Sequence, residues 1–444
     1  MHDALSNVGF RLNRWSERWI PGAFAIACLL TIAVFLIGIF VAHATLGQCI
    51  QYWGSGFWTL LEFSMQMVLI VMTGYIVAVT PPVQRLLERA AAIPSSPRQA
   101  ICLMAFLSMA LAWINWGLSI VGSAVFVRFL ARKHRNVDYR VLVAVAYLGL
   151  GCTWHAGLSA SAPLLVATAG HFMEKQMGTI PTSATIFHPF NLVLTAIVMI
   201  AMTAVAGLLH PRDPKQVRQI SQERLDQLQT FSPPRKQPLN WVEHLEWGRS
   251  INVVIGGLGL VWFIGFRPAG EFSINTVNFL FLMLGVFLHP SPQSLMKAGE
   301  DAGRFVYGIV LQFPFYAGMY GIIRGTGLSE MMARALVNVA SASTLPVIIY
   351  WYSGIVNYFV PSGGSKWAIE APYVIQAASA LGVPLNKVVL SYAWGDMATD
   401  LLQPFFAIPL LGAAGLEFKE ILGYELLLCM VYAVIVTLGF VLSI

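Results

Sequence analysis

The chain has few charged residues for its length. Of its 444 residues, 11% are charged and 57% are hydrophobic, and its mean hydropathy is +0.68. A soluble domain carries about 25% charged residues, so a series of soluble domains is excluded. Apolar runs of about 20 residues recur throughout, and a helix of that length crosses a bilayer. The sequence therefore predicts one polytopic membrane domain.

Cysteines and the motifs of soluble enzymes are also scarce. The five cysteines include no CxxC pair, so neither a thiolate metal site nor a disulfide framework is predicted. The sequence lacks a nucleophile elbow, a phosphate-binding loop and a nucleic-acid module, which argues against an enzyme and against a nucleic-acid partner. We expect no cofactor. The net charge of +6 fits basic loops that orient a membrane protein.

One pattern occurs twice in the sequence. INWGLSIVGS and VNYFVPSGGS are both polar, Gly/Ser-rich breaks inside long apolar stretches. Matching glutamines precede them, Gln66 and Gln312, and matching prolines follow them, Pro163 and Pro404, at nearly constant separation. Broken apolar segments at corresponding places in two halves indicate the binding site of a secondary transporter.

Two apolar stretches, Ala100–Leu130 and Leu345–Ile375, contain these breaks. Basic loops flank the first stretch on both sides, and such loops stay in the cytoplasm. We therefore predict two re-entrant hairpins with arms of about 13 residues, the first turning at Ile114–Gly117. The remaining apolar segments are predicted to cross the membrane: Ile20–Ala42, Phe57–Val79, Val141–Ala169, Pro189–Leu209, Ile251–Phe266, Asn275–His289, Phe305–Ile323, Val388–Gly412 and Ile421–Ser443.

The predicted fold class is an all-α polytopic membrane protein with two inverted-topology repeats, paired re-entrant hairpins and broken helices. The basic N-terminus is placed in the cytoplasm, and the count of crossings places the C-terminus outside. The predicted parts are an N-terminal segment with the first helix (1–56), a first inverted repeat (57–209), a solvated cytoplasmic linker (210–250), connecting helices (251–303) and a second inverted repeat (304–444).

The hairpin tips supply most of the candidate substrate-binding residues. A helix that starts after a turn offers free N–H groups to a carboxylate, and carbonyls freed by the turn suit Na⁺. The alternative is that the small residues only let two helices pack closely. Lys366 could be the counter-charge of an anion, or could pair with Glu370 one turn on. The candidates at the tips are Asn115, Trp116, Gly117, Asn357, Ser362, Gly363, Gly364, Ser365 and Lys366.

The segments after the hairpins supply further candidates. Asp396 and Asp400 share a helix face if the helix is unbroken there, and acids inside a membrane are functional candidates by default. Either could bind Na⁺ or carry a proton, or could pair with a neighbouring donor for structure. His155 is a candidate proton carrier or anion donor with a structural alternative, and Glu62 stays unassigned.

Hydroxyl groups complete the set. In the first half, the substrate-binding candidates are Thr153, Ser159 and Ser161, which could equally brace helix contacts.

The coupling ion is predicted to be H⁺ or Na⁺. Its candidate ligands, which are also the positions for Na⁺ if a metal ion binds, are Asn115, Asn357, Asp396, Thr399 and Asp400.

The sequence resembles the bacterial short-chain fatty acid transporter family (AtoE type). The resemblance extends over nearly the whole chain and is carried by strings such as GFWTLLEFSMQMVLIVMTGY, SASAPLLVAT, LQFPFYAGMYGI, NYFVPSGGSKWAIEAP and QPFFAIPLL. It implies H⁺- or Na⁺-coupled uptake of short-chain monocarboxylates, such as acetoacetate or butyrate, across the bacterial inner membrane. It also implies membership of the ion-transporter superfamily, whose members often form homodimers.

The same resemblance assigns positions by motif. It places hairpin-tip binding elements at Asn115–Gly117 and Ser362–Ser365, and broken helices at Thr153–Ser161 and Asp396–Gln403. Two rival functions stay open. A cation-coupled transporter of di- or tricarboxylates is disfavoured because few intramembrane cations are present to pair with several charges. A passive carboxylate channel can also contain two hairpins, but broken helices with paired acids favour alternating access.

Overall fold

The chain folds into helices joined by short connections. The computed structural model describes residues 23–211, 213–227, 234, 236–267, 273–304, 306–359, 362–403 and 406–443, and all regular structure in these ranges is helical. Ile20, at the start of the first predicted span, lies outside the described residues. So do Phe305, at the start of another predicted span, and the motif prolines Pro361 and Pro404.

The α-helices of the first half are followed by those of the second half. The first set is α1 Ala23–Phe40, α2 Leu46–Gly56, α3 Leu61–Ala78, α4 Pro81–Ala90, α5 Pro97–Ile114, α6 Trp116–Lys133, α7 Tyr139–Cys152, α8 Ser161–Ala167, α9 Glu174–Met177, α10 Pro189–Leu208, α11 Gln222–Gln227 and α12 Trp241–Trp247. The second set is α13 Ser250–Gly265, α14 Ile274–Leu288, α15 Pro292–Gly303, α16 Tyr307–Gly325, α17 Leu328–Val339, α18 Leu345–Phe359, α19 Gly363–Leu381, α20 Leu385–Ala398, α21 Ile408–Ala414 and α22 Phe418–Leu442.

The order of elements in α3 to α8 recurs in α16 to α21. Each set has a long apolar helix, an amphipathic helix, a hairpin of two helices and a helix broken by a short 3₁₀ turn. The turns are Trp154–Ala156 and Asp400–Leu402, and a long closing helix, α10 or α22, completes each set. The predicted all-α fold of two inverted-topology repeats with paired hairpins and broken helices is confirmed.

The first hairpin turns at Asn115, inside the predicted range Ile114–Gly117. The Asn115 side-chain oxygen accepts a hydrogen bond from the Leu118 amide at 2.9 Å, which caps α6. The Ser119 hydroxyl donates to the Ser108 carbonyl at 2.8 Å and ties the arms together. Each arm has 18 residues rather than about 13, so each is about 27 Å long at 1.5 Å per residue.

The second hairpin has arms of 15 and 19 residues, α18 and α19. The hydroxyls of Tyr352 and Tyr373 lie 2.7 Å apart across the arms. The Ser362 hydroxyl accepts a hydrogen bond from the Ser365 amide at 3.4 Å and caps α19, as Asn115 caps α6. At both breaks a new helix therefore begins, and a polar side chain caps the free N–H groups of its first turn.

Five spans in the described residues are long and apolar enough to cross a bilayer, and they include the hairpin arm α5. The helix pairs α12 with α13 and α15 with α16, bent by 45° and 49°, raise the number to seven. Six of the nine predicted crossings are among these seven, and the seventh is the hairpin arm α5. Of the other three, Ile20–Ala42 and Asn275–His289 correspond to shorter apolar helices, Ala27–Phe40 within α1 and Ile274–Leu288, and Val388–Gly412 is divided into α20 and α21.

The segment between the halves is more ordered than a solvated linker. The Asp138 carboxylate caps α7 and also accepts a hydrogen bond from the Arg218 amide at 2.9 Å. The Tyr139 amide donates to the Arg218 carbonyl at 2.8 Å, and Leu225 is buried. The linker therefore packs on the first half. One oxygen of the Asp138 carboxylate caps α7, and the other accepts the hydrogen bond from the linker amide of Arg218.

The hairpins generate a test of topology. In a variant without its native cysteines, single cysteines at the exposed positions Gln99 and Arg132 should both react with an impermeant maleimide from the cytoplasmic side. Cysteines at Ser343 and Ala380, which flank the second hairpin, should both react from the opposite side. Each pair reports on one hairpin, because a re-entrant segment returns to the side from which it entered. Labelling from opposite sides within either pair would exclude that hairpin.

Candidate functional site

A fully buried ion pair joins the second hairpin to the second broken helix. The Lys366 ammonium on α19 lies 2.9 Å from Asp396 Oδ1 on α20. Its hydrogen bonds go to the Ser353 carbonyl at 2.9 Å and hydroxyl at 2.6 Å, and the Tyr392 ring centroid is 4.5 Å away. Removing one member of a buried pair costs roughly 3–5 kcal/mol, so the contact holds hairpin and broken helix together.

His155 brings the first half to this pair. Its Nδ1 lies 2.8 Å from Asp396 Oδ2, and its Nε2 accepts a hydrogen bond from the Ala162 amide at 3.1 Å. Because Nε2 is an acceptor, the ring proton is on Nδ1, and a neutral imidazole donates to Asp396. Trp154 stacks on the ring with the centroids 4.4 Å apart. The hydrogen bonds thus assign His155 the role of a fixed, uncharged donor.

Asp400 occupies a separate place beside the pair. Its Oδ2 accepts a hydrogen bond from the Trp154 indole at 3.0 Å, and its Oδ1 accepts one from the Asn357 amide at 2.8 Å. Helix α20 ends at Ala398, and Asp400 begins the 3₁₀ turn. The unbroken helix that a shared face requires is absent, so Asp396 and Asp400 contact different groups. Asn357 also donates to the Thr399 hydroxyl at 3.3 Å, which brings three of the coupling-ion candidates together.

The tip glycines lie against the site. A Cβ on Gly363 would be 2.7 Å from His155 Cε1 and 2.8 Å from Asp396 Oδ2. A Cβ on Gly364 would overlap the Phe63 ring of α3. The Tyr392 hydroxyl donates to the Gly363 carbonyl at 2.6 Å. Positions 363 and 364 therefore have room only for glycine. A side chain at 363 would overlap His155 and Asp396, and one at 364 would overlap Phe63.

The two tip serines contact each other. The Ser362 hydroxyl donates to the Ser365 hydroxyl at 3.0 Å and accepts from its amide. They form the start of α19, immediately before Lys366, so their hydroxyls are used by the cap. The structure brings six candidates of the second half into or against one polar cluster with His155: Asn357, Gly363, Lys366, Asp396, Thr399 and Asp400.

The candidates of the first tip contact the surrounding scaffold. Besides capping α6, Asn115 donates to the Ile70 carbonyl at 3.4 Å. The Ser159 hydroxyl accepts from the Trp116 amide at 3.0 Å. A Cβ on Gly117 would press on the Val71 carbonyl at 3.1 Å. In the first half, the observed contacts are thus those of bracing and close packing, and a role in substrate binding stays a prediction.

The hydroxyls of the first broken helix behave in the same way. The Thr153 hydroxyl donates to the Met109 carbonyl at 2.7 Å, and the Ser161 hydroxyl approaches the Met67 sulfur at 3.5 Å. Trp116 contacts the site through one intermediate residue. Its ring packs edge-on against Trp154, and the Trp154 indole donates a hydrogen bond to Asp400. The first hairpin therefore supports the site without supplying a charged group to it.

Three contributors were missed in the sequence: Trp154, Ser353 and Tyr392. Ser353 and Tyr392 lie four positions before Asn357 and Asp396, so each shares a helix face with a candidate, which is a usable signal. Trp154 adjoins His155, but nothing in the sequence pairs it with Asp400. Glu62, unassigned from the sequence, is exposed in the first turn of α3 and accepts from the Gln66 amide at 3.4 Å.

Two solved structures share this fold. The YdaH transporter of Alcanivorax borkumensis gives a TM-score of 0.52 at 16% identity over 86% of each chain. MtrF of Neisseria gonorrhoeae, described as illustrating a class of antimetabolite efflux pumps, gives 0.56 at 13% identity over 97% of this chain and 96% of its own. Identities this low establish the architecture alone. Broken helices and hairpins around a buried polar site define the class as a multi-pass membrane transporter.

The family follows from sequence comparisons. The model of the short chain fatty acid transporter family matches residues 4–443. A protein of Escherichia coli (strain K12) named as a short-chain fatty acid transporter is 37% identical over 430 residues, 96% of this chain and 97% of its own. One of Haemophilus influenzae with the same name is 34% identical over 430 residues, covering 95% and 96%. The chain therefore belongs to the short-chain fatty acid transporter family and is a transporter, not an enzyme.

The tip contact generates a prediction. Gly363→Ala should lower uptake of a labelled short-chain acid about tenfold or more with normal amounts in the membrane, because its methyl group displaces His155 from Asp396. Gly412→Ala on α21 is the matched control, since nothing lies within 4 Å of its added carbon. Normal uptake by Gly363→Ala would show that the close approach has no functional role.

Proposed function

We propose that this protein takes up short-chain monocarboxylates, such as acetoacetate or butyrate, by proton-coupled secondary transport across the bacterial inner membrane. The observation that carries the proposal is the charge of the buried site. Among the described residues of the site, Lys366 supplies the cation, Asp396 its counter-charge, and His155 a neutral donor. The family and the names of its relatives support the substrate class.

A carboxylate substrate and Asp396 need the same partner. The pair of Lys366 and Asp396 is neutral, so an added carboxylate would leave one unpaired negative charge at membrane depth, at a cost of several kcal/mol. A proton on Asp396 removes that charge. The substrate oxygens then accept hydrogen bonds from the Lys366 ammonium, and the protonated Asp396 no longer competes. One proton therefore enters with each monocarboxylate, and the group formed by Lys366, protonated Asp396 and the substrate carboxylate has no net charge.

The same charge balance opposes larger anions. A dicarboxylate would bring a second negative charge, and the described residues around Lys366 offer no second buried cation to pair with it. A passive channel is opposed by the ion pair between hairpin and broken helix, which favours a closed, occluded arrangement. We accordingly assign alternating access. The basic residues near the N-terminus are the ground on which we place it in the cytoplasm.

Sodium coupling is the second candidate, and one observation favours it. Asn357 Oδ1 is buried without a hydrogen-bond partner, and an amide oxygen is a suitable cation ligand. Protons are favoured over Na⁺ because three of the four carboxylate oxygens of Asp396 and Asp400 have N–H partners, and the fourth, Asp396 Oδ1, lies 2.9 Å from the Lys366 ammonium. In the described residues, no group of three or more His, Cys, Asp or Glu side chains could hold a metal ion.

Transport in proteoliposomes tests this function. Wild-type protein should accumulate labelled butyrate when the outside is more acidic, without added Na⁺, and unlabelled C2–C6 monocarboxylates should compete where di- and tricarboxylates do not. A requirement for Na⁺ at fixed pH would transfer the coupling to the Asn357 region. Entry that only equilibrates the label under a pH gradient would indicate a channel.

Asp396→Asn tests the coupling group. The amide keeps the shape of a protonated carboxyl but cannot release a proton, so accumulation driven by a pH gradient should fall about tenfold or more. Exchange of labelled for unlabelled substrate should persist, because exchange needs no net proton movement. Asp213→Asn, in the exposed linker, is the control. Accumulation by Asp396→Asn at the wild-type level would exclude this carboxylate as the coupling site.

A further inference from the structure

One buried carboxylate close to the site has no role in the mechanism above. Glu370 lies on α19, one turn after Lys366, and its side chain is fully buried. Neither of its oxygens has a hydrogen-bond partner in the described chain. Asp396 and Asp400, by contrast, have a donor or a cation at each oxygen. Glu370 is therefore a third acid, with a carboxyl group that has no hydrogen-bond partner, one helical turn from Lys366, the lysine among the described residues of the site.

An isolated carboxylate charge at this depth costs several kcal/mol, whereas a neutral carboxyl costs much less. The one cation near Glu370 is committed, because Lys366 contacts Asp396 and the Ser353 hydroxyl. Helix α8 packs on α19 without a titratable side chain. The described groups that interact electrostatically with Glu370 are Lys366, Tyr373, Tyr352, Asp396 and Tyr392. Only one of these is a cation, and it already contacts Asp396, so burial favours the protonated form of Glu370 in this conformation.

We propose that Glu370 is a second proton-binding site and the alternate partner of Lys366 when the second hairpin separates from α20. This rests on the proposed function. Lys366 and Glu370 are four residues apart on one helix, so they share a face in every conformation of the hairpin. The Lys366–Asp396 pair joins two helices and exists only while α19 packs on α20. The flexible lysine stem lets the ammonium move from one acid to the other.

The protons balance in this scheme. In the structure, Lys366 is positive, Asp396 is negative and Glu370 holds a proton. When the hairpin separates, the Glu370 O–H bond breaks, Asp396 gains an O–H bond, and Lys366 pairs with the Glu370 carboxylate. The site has the same charge and the same number of protons in both states. With substrate on Lys366, both acids hold a proton, so loading still takes up one proton per monocarboxylate.

Infrared spectroscopy of the purified protein in lipid tests the protonation directly. The carbonyl stretch of protonated carboxyl groups should be present at neutral pH, and Glu370→Gln should remove one component that is sensitive to deuterium exchange. Glu425→Gln on α22 is the matched variant, because Glu425 is also buried without a hydrogen-bond partner in the described chain; it should remove a different carboxyl component and leave that of Glu370 unchanged. An unchanged carboxyl region in Glu370→Gln would overturn the proposal.

Transport distinguishes a coupling role from a structural one. The ratio of gradient-driven accumulation to exchange should fall about tenfold in Glu370→Gln and should stay at the wild-type value in Glu425→Gln. A wild-type ratio in Glu370→Gln overturns the inference and leaves the proposed function intact. Failure of wild-type protein to exchange any short-chain acid would instead overturn the proposed function.

A second variant tests the proposal if the first does not fold. If Glu370→Gln does not reach the membrane, Glu370→Asp keeps the acid but shortens its reach toward Lys366 by one methylene group. The pH at half-maximal accumulation should then shift, because the acid no longer pairs equally well with the ammonium. An unchanged pH midpoint in this variant would overturn the proposal.

Discussion

A lysine ammonium inside a membrane protein must stay paired, and much of this site follows from that requirement. Lys366 is fully buried, away from bulk solvent that could replace a lost partner, so its contact with Asp396 sets the positions of the second hairpin and α20. The requirement explains the glycine at 363, which allows the tip to approach, and Tyr392, whose ring lies near the ammonium and whose hydroxyl holds the tip. In the proposed mechanism, a substrate carboxylate takes the place of Asp396 as the partner of the Lys366 ammonium.

The two halves share an order of elements but not a chemistry. Asn115 and Asn357 occupy corresponding places before the tips, yet the first caps its own hairpin and the second donates to Asp400. The first hairpin is neutral at its tip, and the second is followed directly by a charge. The first half thus supplies a scaffold and one neutral donor, His155, whereas the second half supplies the buried ion pair of Lys366 and Asp396. Repetition of a fold therefore does not imply two equivalent sites.

The architecture could be predicted from the sequence because its signals are local. Gly/Ser breaks, basic flanks and apolar runs indicated the hairpins and the broken helices without knowledge of any contact. The length of the arms was underestimated because helices α5 and α6 continue into polar residues such as Gln99 and Arg132, beyond the apolar stretch. Hydropathy marks where lipid begins, but helical hydrogen bonding and packing decide where a helix ends.

The pairings within the site could not be predicted in the same way. Helical spacing suggested Glu370 as a partner for Lys366, but a contact between two helices placed Asp396 there instead. Spacing also suggested a shared face for Asp396 and Asp400, but α20 ends between them. The sequence left the role of His155 open, and the structure shows that its Nδ1 donates to Asp396 whereas its Nε2 accepts from the Ala162 amide. These facts depend on residues far apart in the chain, and a single sequence carries no record of such distances.

The Ala162 amide that binds His155 Nε2 stands at the start of α8, so the state of the imidazole depends on where that short helix begins. While α8 stays in place, the ring cannot accept a second proton, and it cannot become a rival cation beside Asp396. A displacement of α8 would free that nitrogen and change the charge seen by the other half. The two repeats are therefore interlocked at this contact, and in the proposed proton-coupled mechanism the interlock would oppose a leak of protons without substrate.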